Sequence, residues 1–534
     1  MTRVVLDGES LSVAEVVAVA REDAPVEVSD AARERVREAR ARVEAVLDTD
    51  EAVYGLNTGF GELVDTRIPR DRVSELQTNL VRSHSAGTGG DLPREAVRAL
   101  LLTRVNALVK GYSGVREVVV DHLLTLLNEG VHPVVPSRGS LGASGDLAPL
   151  AHVALLLLGD GAADVDRADG DPERRTGDEA LAAAGLEPLS LRAKEGLALI
   201  NGTQLSVGLA ALLVHDAEQL CRAADAAGAL TTEVTMGSTV PVEAAIQEVR
   251  PHVGQAASAR AVRRLCAGSE IVESHRNCDR VQDAYSIRCL PQVHGAVRDS
   301  VSHLRAAVET ELNSATDNPL VFPVGEVSRH TSGTDAADVV SGGNFHGEVL
   351  ALRLDYVRSA LTELAAIAER RVDRLLNPNV QEPHLPPFLA ADSGVESGLM
   401  IAQYTAASCV AECRSVSTPA TDTMPVSGGQ EDHVSMSATS AYAARRTLDW
   451  ARTVVGIELL CAAEAAEFVE DGLAHGDGTG AVYDAVRELV DPLDSDRPLA
   501  GDIDACESLV ASGALDAAVG EALGSPADTW DRDR

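Results

Sequence analysis

One short run of small residues could carry unusual chemistry. In GSLGASGDLAPLAH (139–152), Ala143, Ser144 and Gly145 precede an apolar stretch. A serine among glycines suggests a nucleophile elbow, but Asp146 stands where G-x-S-x-G requires glycine. The even spacing of the glycines matches neither common phosphate-binding fingerprint. An ordinary glycine-rich turn before a helix stays open as the simplest alternative.

The small side chains permit a further reaction of the main chain. In a tight turn the amide nitrogen of Gly145 can approach the carbonyl carbon of Ala143, because little side-chain bulk separates them. Cyclisation with loss of water would give a five-membered ring. Loss of the Ser144 hydroxyl as a second water would leave a methylidene group conjugated to the ring carbonyl. This segment could therefore form an electrophile that no ordinary side chain offers.

Helices are expected to position this segment. Apolar residues recur at three-to-four spacing from Leu350 to Leu375, which predicts a helix of about eight turns ended by Asn377-Pro378. Asp146 is expected to cap the helix that follows it. Residues 159–179, acidic and rich in glycine, predict an exposed excursion. Similar patterns predict helices over residues 29–47, 95–109, 115–128, 147–158 and 440–473.

The composition favours a mainly α fold. The chain has 534 residues, of which 45% are hydrophobic but only 3% aromatic, so its core must consist largely of Ala, Val and Leu. We expect a long-helix bundle with a mixed N-terminal part. The expected division is an N-terminal part with the small-residue loop (1–200), a central helix bundle (201–480) and an acidic C-terminal segment (481–534).

The charge restricts the partners. With 82 acidic against 46 basic residues the formal net charge is -36, which disfavours binding to nucleic acid and to anionic membranes. The longest apolar stretch, 147–158, is too short to span a bilayer. These features predict a salt-adapted cytoplasmic protein. The eight cysteines form no C-x-x-C pair, and we expect no metal site.

The small-residue segment and seven further blocks resemble the signature of the aromatic amino acid ammonia-lyases. The blocks follow the order and approximate spacing of that family over about residues 1–480. They are YGLNTGFG (54–61), NLVRSHSAG (79–87), NGTQ (201–204), QDAYSIRCLPQVHG (282–295), TDNPL (316–320), GGNFHG (342–347) and QEDHVSM (430–436).

The resemblance implies a cofactor, a fold and an assembly. Ala143, Ser144 and Gly145 would form 4-methylidene-imidazol-5-one (MIO) autocatalytically, with no metal required. The fold would be the long-helix bundle of the aromatic ammonia-lyase and aspartase-like type, with the cyclised loop in the mixed N-terminal part. The chain would form a homotetramer whose active sites are shared between copies.

The resemblance also implies roles for individual residues. Tyr54 would be the base for the β-proton, and its reference pKa of about 10 would have to fall by about 3 units to ionise near pH 7. Tyr285 would be a second tyrosine near the electrophile, and Arg288 would clamp the substrate carboxylate. The further substrate-binding residues would be Asn201, Gln204, Gln282 and Phe345.

Two blocks favour L-histidine as the substrate, with trans-urocanate as the product of ammonia elimination. His84 and Glu431 occupy positions where enzymes for phenylalanine or tyrosine usually carry other residues. A polar imidazole needs such partners, because an unpaired ring nitrogen costs about 1–3 kcal/mol. A phenylalanine or tyrosine lyase, an aminomutase and an inactive helical scaffold are the alternatives. The sequence leaves open whether the amine or the imidazole would attack the electrophile.

Overall fold

The computed structural model describes residues 3–49, 53, 55–58, 68–167, 170–276, 281–327, 335–420, 424–470 and 472–525. The chain forms two compact units, each assembled from three stretches. The first comprises Met1–His215, Leu304–Leu354 and Pro419–Tyr442, and the second comprises Asp216–His303, Asp355–Thr418 and Ala443–Arg534. The three-part division predicted along the chain remains a prediction.

Helices dominate both units, which confirms the predicted mainly α fold. The N-terminal helices are α1 (Val13–Arg21), α2 (Asp30–Leu47), α3 (Val73–His84), α4 (Arg94–Val109), α5 (Glu117–Asn128), α6 (Leu147–Leu157), α7 (Gly177–Ala183) and α8 (Glu195–Ile200). The central helices are α9 (Gln204–Val234), α10 (Ala244–Glu248), α11 (Val253–Leu265), α12 (Glu270–Ser274), α13 (Tyr285–Arg288) and α14 (Leu290–Leu312). The C-terminal helices are α15 (Glu348–Leu376), α16 (Met400–Ser415), α17 (Ser437–Ala466), α18 (Asp477–Arg487), α19 (Ala500–Ala511) and α20 (Ala514–Ala522).

Among the described residues, the strands are short and all belong to the first unit. They are β1 (Val4–Leu6), β2 (Val26–Val28), β3 (Thr88–Asp91), β4 (Val131–Pro133), β5 (Pro136–Arg138), β6 (Ala162–Val165), β7 (Glu173–Thr176), β8 (Leu320–Phe322) and β9 (Asp338–Val340). The pairs β1–β2, β3–β5 and β8–β9 form two-stranded sheets, the first parallel and the others antiparallel. The strands β4, β6 and β7 form an antiparallel sheet with β6 in the middle.

Helix α4 forms the centre of the first unit. Every residue from Ala96 to Val109 is buried, including two arginines, Arg98 and Arg104. A helix that is buried on all faces lacks the apolar stripe of a surface helix, because each of its sides contacts protein. Among the described residues, none of the helices combines the length and apolar character needed to cross a bilayer.

Most of the predicted helices form with small differences at their ends. The long helix α15 ends at Leu376, directly before Asn377-Pro378, as predicted. The predicted helix over 440–473 begins earlier, at Ser437, and ends at Ala466.

Most described residues of the excursion predicted over residues 159–179 are exposed, but the stretch is not irregular. This stretch contains β6 and β7, because Ala163 and Val165 alternate with polar residues and are buried against β4. Two buried side chains were enough to fix a strand that the acidic composition concealed.

Candidate active site

The small-residue loop is bent at its glycines and lies close against residue 202. Gly142 and Gly145 have φ angles of 71° and 77°, in the left-handed region that glycine tolerates best. A Cβ atom at Gly145 would lie 2.1 Å from the carbonyl oxygen of Gly202. The next amide, Asp146 N–H, donates to that same carbonyl at 2.7 Å. Only glycine at position 145 permits this approach.

Asp146 holds the loop through hydrogen bonds. Its fully buried carboxylate accepts from Ser140 Oγ at 2.7 Å and from the amide and hydroxyl of Ser206 at 2.8 and 3.0 Å. Burial raises the pKa of Asp146, and these hydrogen bonds oppose that rise. Asp146 does precede α6, but its side chain makes no capping hydrogen bond there, which corrects the predicted capping role. The nearby serines and the Ser206 amide provide donors for the carboxylate instead.

Ser144 faces a cavity of about 1170 Å³ in the first unit. Its hydroxyl donates to Glu431 Oε2 at 3.2 Å, and its carbonyl accepts from Asn201 Nδ2 at 2.9 Å. The other amide atom, Asn201 Oδ1, is buried without a hydrogen-bond partner among the described residues. Of the predicted site residues, those that line this cavity are His84, Ala143, Ser144, Asn201, Phe345 and Glu431.

His84 presents one ring nitrogen free for a ligand. Its Nδ1 lies 2.9 Å from the carbonyl oxygen of Leu80, one turn earlier in α3. A carbonyl only accepts hydrogen bonds, so Nδ1 carries a proton. In the neutral imidazole Nε2 is then an acceptor. The side chain can therefore accept a hydrogen bond from a polar group in the cavity.

Glu431 is placed by a segment that hydrogen-bonds back to the small-residue loop. The amide of Val426 donates to the Glu431 carbonyl at 2.9 Å. Farther along the segment, the Met436 amide donates to the Leu141 carbonyl at 2.7 Å, and Ser435 Oγ donates to the Gly142 carbonyl at 3.0 Å. The serines at 435 and 437 leave no room for a side chain at Gly142. These contacts bring residues far apart in the sequence to one wall of the cavity.

Gln204 does not line the cavity. Its side-chain oxygen accepts from Arg104 Nη1 at 2.6 Å, and its amide nitrogen donates to Thr316 Oγ1 at 2.7 Å. The side chain is 2% exposed and both of its polar atoms have partners. The structure favours a supporting position for Gln204, and direct contact with substrate remains a prediction.

Tyr54 lies outside the described residues. The next residue, Gly55, is described, and a Cβ atom there would lie 2.8 Å from Pro319 Cδ and 3.0 Å from Leu197 Cδ2. Leu197 lines the cavity. The block that contains Tyr54 therefore comes close to the cavity wall at Gly55.

Gln282, Tyr285 and Arg288 belong to the second unit, and none of them is among the residues that line the cavity. Tyr285 is 71% exposed. The Arg288 guanidinium lies over the Tyr285 ring, 5.3 Å from its centroid, and donates to Gln282 Oε1. These side chains form a small exposed cluster.

One group of side chains in the cavity wall has the composition of a metal site. His346, Glu348 and His433 have potential ligand atoms within 4.8 Å of one another. However, Nε2 of His346 lies 3.3 Å from the His433 carbonyl and its Nδ1 lies 3.4 Å from the Glu348 amide, so both ring nitrogens have partners. The contact between His346 and the His433 carbonyl connects the GGNFHG and QEDHVSM blocks.

Arg104 was missed in the sequence. It is 1% exposed, and Nη1 donates to the Asn201 carbonyl at 2.9 Å as well as to Gln204. Burial lowers the pKa of Arg104 to about 10, so the side chain stays charged at neutral pH. An arginine within the apolar run LLLTRVNALV was the signal that could have identified it.

Known proteins resemble the chain over its whole length. A model of the family "aromatic amino acid lyase" matches residues 11–488. A probable histidine ammonia-lyase of Halobacterium salinarum is 65% identical over 523 residues, which are 98% of this chain and 99% of that protein.

Solved structures share the fold. The histidine ammonia-lyase of Trypanosoma cruzi has a TM-score of 0.88 and 39% identity, with 100% of this chain and 98% of that one covered. A tyrosine aminomutase from Streptomyces globisporus has a TM-score of 0.89 and 39% identity, with coverage of 97% and 99%. Given the family match over most of its residues and relatives of this identity, the chain belongs to the aromatic amino acid lyase family.

Proposed function

We propose that the chain is a carbon–nitrogen lyase that eliminates ammonia from L-histidine to give trans-urocanate. The observation that carries this proposal is the placement of Ser144 on a tightly bent loop, facing a cavity that also contains His84 and Glu431. The names of the relatives support it, because proteins called histidine ammonia-lyases match nearly the whole chain.

The loop fits the formation of 4-methylidene-imidazol-5-one from Ala143, Ser144 and Gly145. The Gly145 nitrogen would bond to the Ala143 carbonyl carbon, and the carbonyl oxygen would leave as water. The Ser144 hydroxyl would leave with the α-hydrogen as a second water. Two observations support the fit: Gly145 has no space for a side chain, and Asn201 holds the Ser144 carbonyl from the cavity side. When formed, the group supplies an electrophilic carbon, and the proposal includes no metal.

The polar residues of the cavity would orient the substrate. Glu431 and His84 Nε2 are both hydrogen-bond acceptors, so together they would match the two N–H groups of a protonated substrate imidazole. Asn201 Oδ1, buried without a partner among the described residues, can accept from the α-amine. Phe345 adds an apolar contact. A site that matches ring nitrogens selects against substrates without them, because its own polar groups would then be left unpaired.

Tyr54, Gln282, Tyr285 and Arg288 would complete the site. Arg288 would bind the carboxylate in a bidentate manner, Tyr54 would take the β-proton, Tyr285 would assist proton transfer and Gln282 would line the pocket. We propose that the second-unit cluster reaches the cavity of another copy in a homotetramer. The exposure of Tyr285 supports this, since a residue that serves a neighbouring copy lies open on its own chain.

The proposal includes salt adaptation, which the net charge of -36 supports, and a cytoplasmic location. Salt would screen repulsion within such a surface, because the Debye length falls from about 10 Å at 0.1 M to about 3 Å at 1 M.

The same assay tests the substrate and the principal alternative. The tyrosine aminomutase is 39% identical to this chain, as is the histidine ammonia-lyase of Trypanosoma cruzi, so tyrosine is the substrate to compare with histidine. Purified protein is incubated with L-histidine, L-tyrosine and L-phenylalanine, and ammonia and the unsaturated acid are measured together. We expect turnover of histidine to exceed the others. Preferred turnover of tyrosine, or a β-amino acid product, would replace the proposal with an aminomutase, and no turnover would favour the inactive scaffold.

Intact mass tests the cofactor on the same sample. We expect the chain to weigh less than its encoded mass by two waters. An active protein at the full encoded mass would refute the ring.

A further inference from the structure

Arg104 is a buried cation without an acid partner. Among the described residues no carboxylate forms an ion pair with it, and its Nε and Nη2 atoms have no hydrogen-bond partner. The charge of nearby Asp317 opposes the lowering of the Arg104 pKa by burial, but the Asp317 carboxylate accepts a hydrogen bond from Lys194 Nζ at 2.6 Å instead. Burying a guanidinium without an acid partner costs folding free energy. An apolar side chain at this position of α4, like most of its buried neighbours in the helix, would not have that cost. The presence of Arg104 calls for a function.

The guanidinium lies directly behind residues 201–204, the corner between α8 and α9 against which the small-residue loop bends. A Cβ atom at Gly202 would lie 2.8 Å from Arg104 Nη1 and 2.9 Å from Thr316 Oγ1. Gly202 in turn bridges Gly145, and its carbonyl accepts the Asp146 amide. The three layers are therefore Arg104, the 201–204 corner and the loop. A shift of the guanidinium would move the corner and the loop with it.

Arg104 also fixes the residue that touches Ser144. It donates to the main-chain carbonyl of Asn201, whose side chain donates to the Ser144 carbonyl. Through the Gln204 side chain it holds the first turn of α9. Two hydrogen bonds from one rigid, planar group set both the position and the rotation of the corner.

We propose that Arg104 is a positioning residue for the small-residue loop, one that holds residues 201–204 so that the loop adopts the bend needed for ring formation and Asn201 faces the substrate. The inference rests on the proposed function and deepens it. Arg104 itself touches neither the ring nor the substrate, and acts through Asn201, Gly202 and Gln204.

A second arginine of the same helix provides a matched control. Arg98 is also buried, and it also donates to main-chain carbonyls, those of Val19 and Leu127 at 2.8 and 3.0 Å. Unlike Arg104 it pairs with an acid, Asp23, at 3.2 Å. Arg98→Gln therefore removes a buried guanidinium from α4 without touching the 201–204 corner.

The experiment follows ring formation and turnover separately in full-length Arg104→Gln, Arg104→Lys and Arg98→Gln. Intact mass at intervals after synthesis gives the dehydrated fraction, circular dichroism reports folding, and kcat is expressed per dehydrated chain. We expect Arg104→Gln to dehydrate at least tenfold more slowly or to lose about a hundredfold in kcat with a smaller change in KM. Arg104→Lys keeps the positive charge but lacks the planar guanidinium, so its dehydration rate and kcat should lie between those of Arg104→Gln and the wild type.

Arg98→Gln should dehydrate and turn over at the wild-type rate once folded. A folded Arg104→Gln protein with wild-type dehydration and kcat would overturn the inference while leaving the proposed function intact. If Arg104→Gln does not fold, Arg104→Lys decides, and wild-type behaviour of that variant would overturn the inference. A wild-type chain that is never dehydrated would instead refute the ring.

Discussion

Ser144 lies on a loop whose flanking residues Ala143 and Gly145 are buried, whereas Tyr285, at the start of the four-residue helix α13, is 71% exposed. Residues of the first unit hold the loop from several sides, through Asn201, Asp146 and the segment that carries Glu431. The cluster of Gln282, Tyr285 and Arg288 has contacts within itself but presents its tyrosine to solvent. The loop is therefore held by contacts within its own chain, whereas the cluster has the exposed position that the proposed shared site requires.

The exposed cluster nevertheless has a rigid base. Arg371 Nη1 donates to the carbonyl of Ser286, which lies within α13, at 3.4 Å. The same guanidinium makes two hydrogen bonds to Glu458, at 2.5 and 2.8 Å, with both side chains fully buried. A residue can therefore be held firmly by its own chain and still be exposed. Exposed side chains on a rigid base are what the proposed shared site would require.

Replacing Ser144 should have the largest effect. Ser144→Ala retains the fold but has no hydroxyl to lose as the second water, so it cannot form the methylidene group. We expect kcat for histidine to fall at least about 10³-fold, and the near-ultraviolet absorbance of the ring to be absent. Turnover and absorbance spectra of the purified variant check this.

The matched control is Ser300→Ala in α14. Ser300 is 3% exposed, and its hydroxyl donates to the Ala296 carbonyl at 2.8 Å, so the variant also removes a buried hydroxyl. It should retain activity. Full activity of Ser144→Ala would contradict the assignment of the loop.

Mixing two inactive variants tests the comparison directly. Ser144→Ala damages the loop, and Arg288→Ala damages the exposed cluster, so each alone should be inactive. If sites combine the two regions from different copies, co-expression should produce some sites with both regions intact. We expect activity in the mixture well above that of either variant, measured on the co-purified assembly.

A mixture of Ser144→Ala with Asn201→Ala is the control, since both changes damage the first-unit site and no exchange of copies repairs it. Equal activity in the two mixtures would contradict shared sites. An active monomer on gel filtration would do so as well.

The sequence predicted the tight turn of the loop better than the support around it. The residue types at 143–145 limit what the main chain can do, and the helix periods follow from apolar spacing. The bonds from Met436 to Leu141 and from Arg104 to Asn201 join residues distant in sequence, so no local pattern encodes them. The same limit applies to Gln204, whose matching block predicted a substrate contact but whose partners are Arg104 and Thr316.

Replacing Glu431 should have an intermediate effect and should alter substrate preference. Glu431→Gln keeps the shape but weakens acceptance of an imidazole N–H. A loss of about 1–3 kcal/mol corresponds to a fall of about 5- to 150-fold in kcat/KM for histidine. Turnover of phenylalanine, which has no ring N–H, should fall less.

Glu326→Gln, an exposed change in the first unit, is the charge-matched control and should leave both substrates unaffected. An equal loss for histidine and phenylalanine would assign Glu431 to a step common to both substrates instead of ring recognition.

The smallest predicted effect concerns acid stability and the buried base of the second unit. Asp225 is fully buried and accepts from His294 Nδ1 at 2.7 Å, Arg298 Nη2 at 2.6 Å and Ser258 Oγ at 2.6 Å. Burial alone would raise the pKa of Asp225, but the Arg298 charge and the His294 hydrogen bond outweigh it and lower the pKa to about 2. His294 Nε2 accepts from Arg371, which connects this carboxylate to the base of α13.

A lowered carboxylate pKa stabilises the folded state above the unfolded value of 3.8, and this contribution is lost as the pH falls towards 2. The shift corresponds to about 2 kcal/mol. Denaturant titrations at a series of pH values should show the unfolding free energy of the wild type falling more steeply between pH 4 and 2 than that of Asp225→Asn. Asp166→Asn should change the slope less, because the Arg94 pair that lowers the pKa of Asp166 is about one-third exposed and is screened by solvent. Parallel curves for Asp225→Asn and the wild type would show that this carboxylate is not what holds the base of the exposed cluster together in acid.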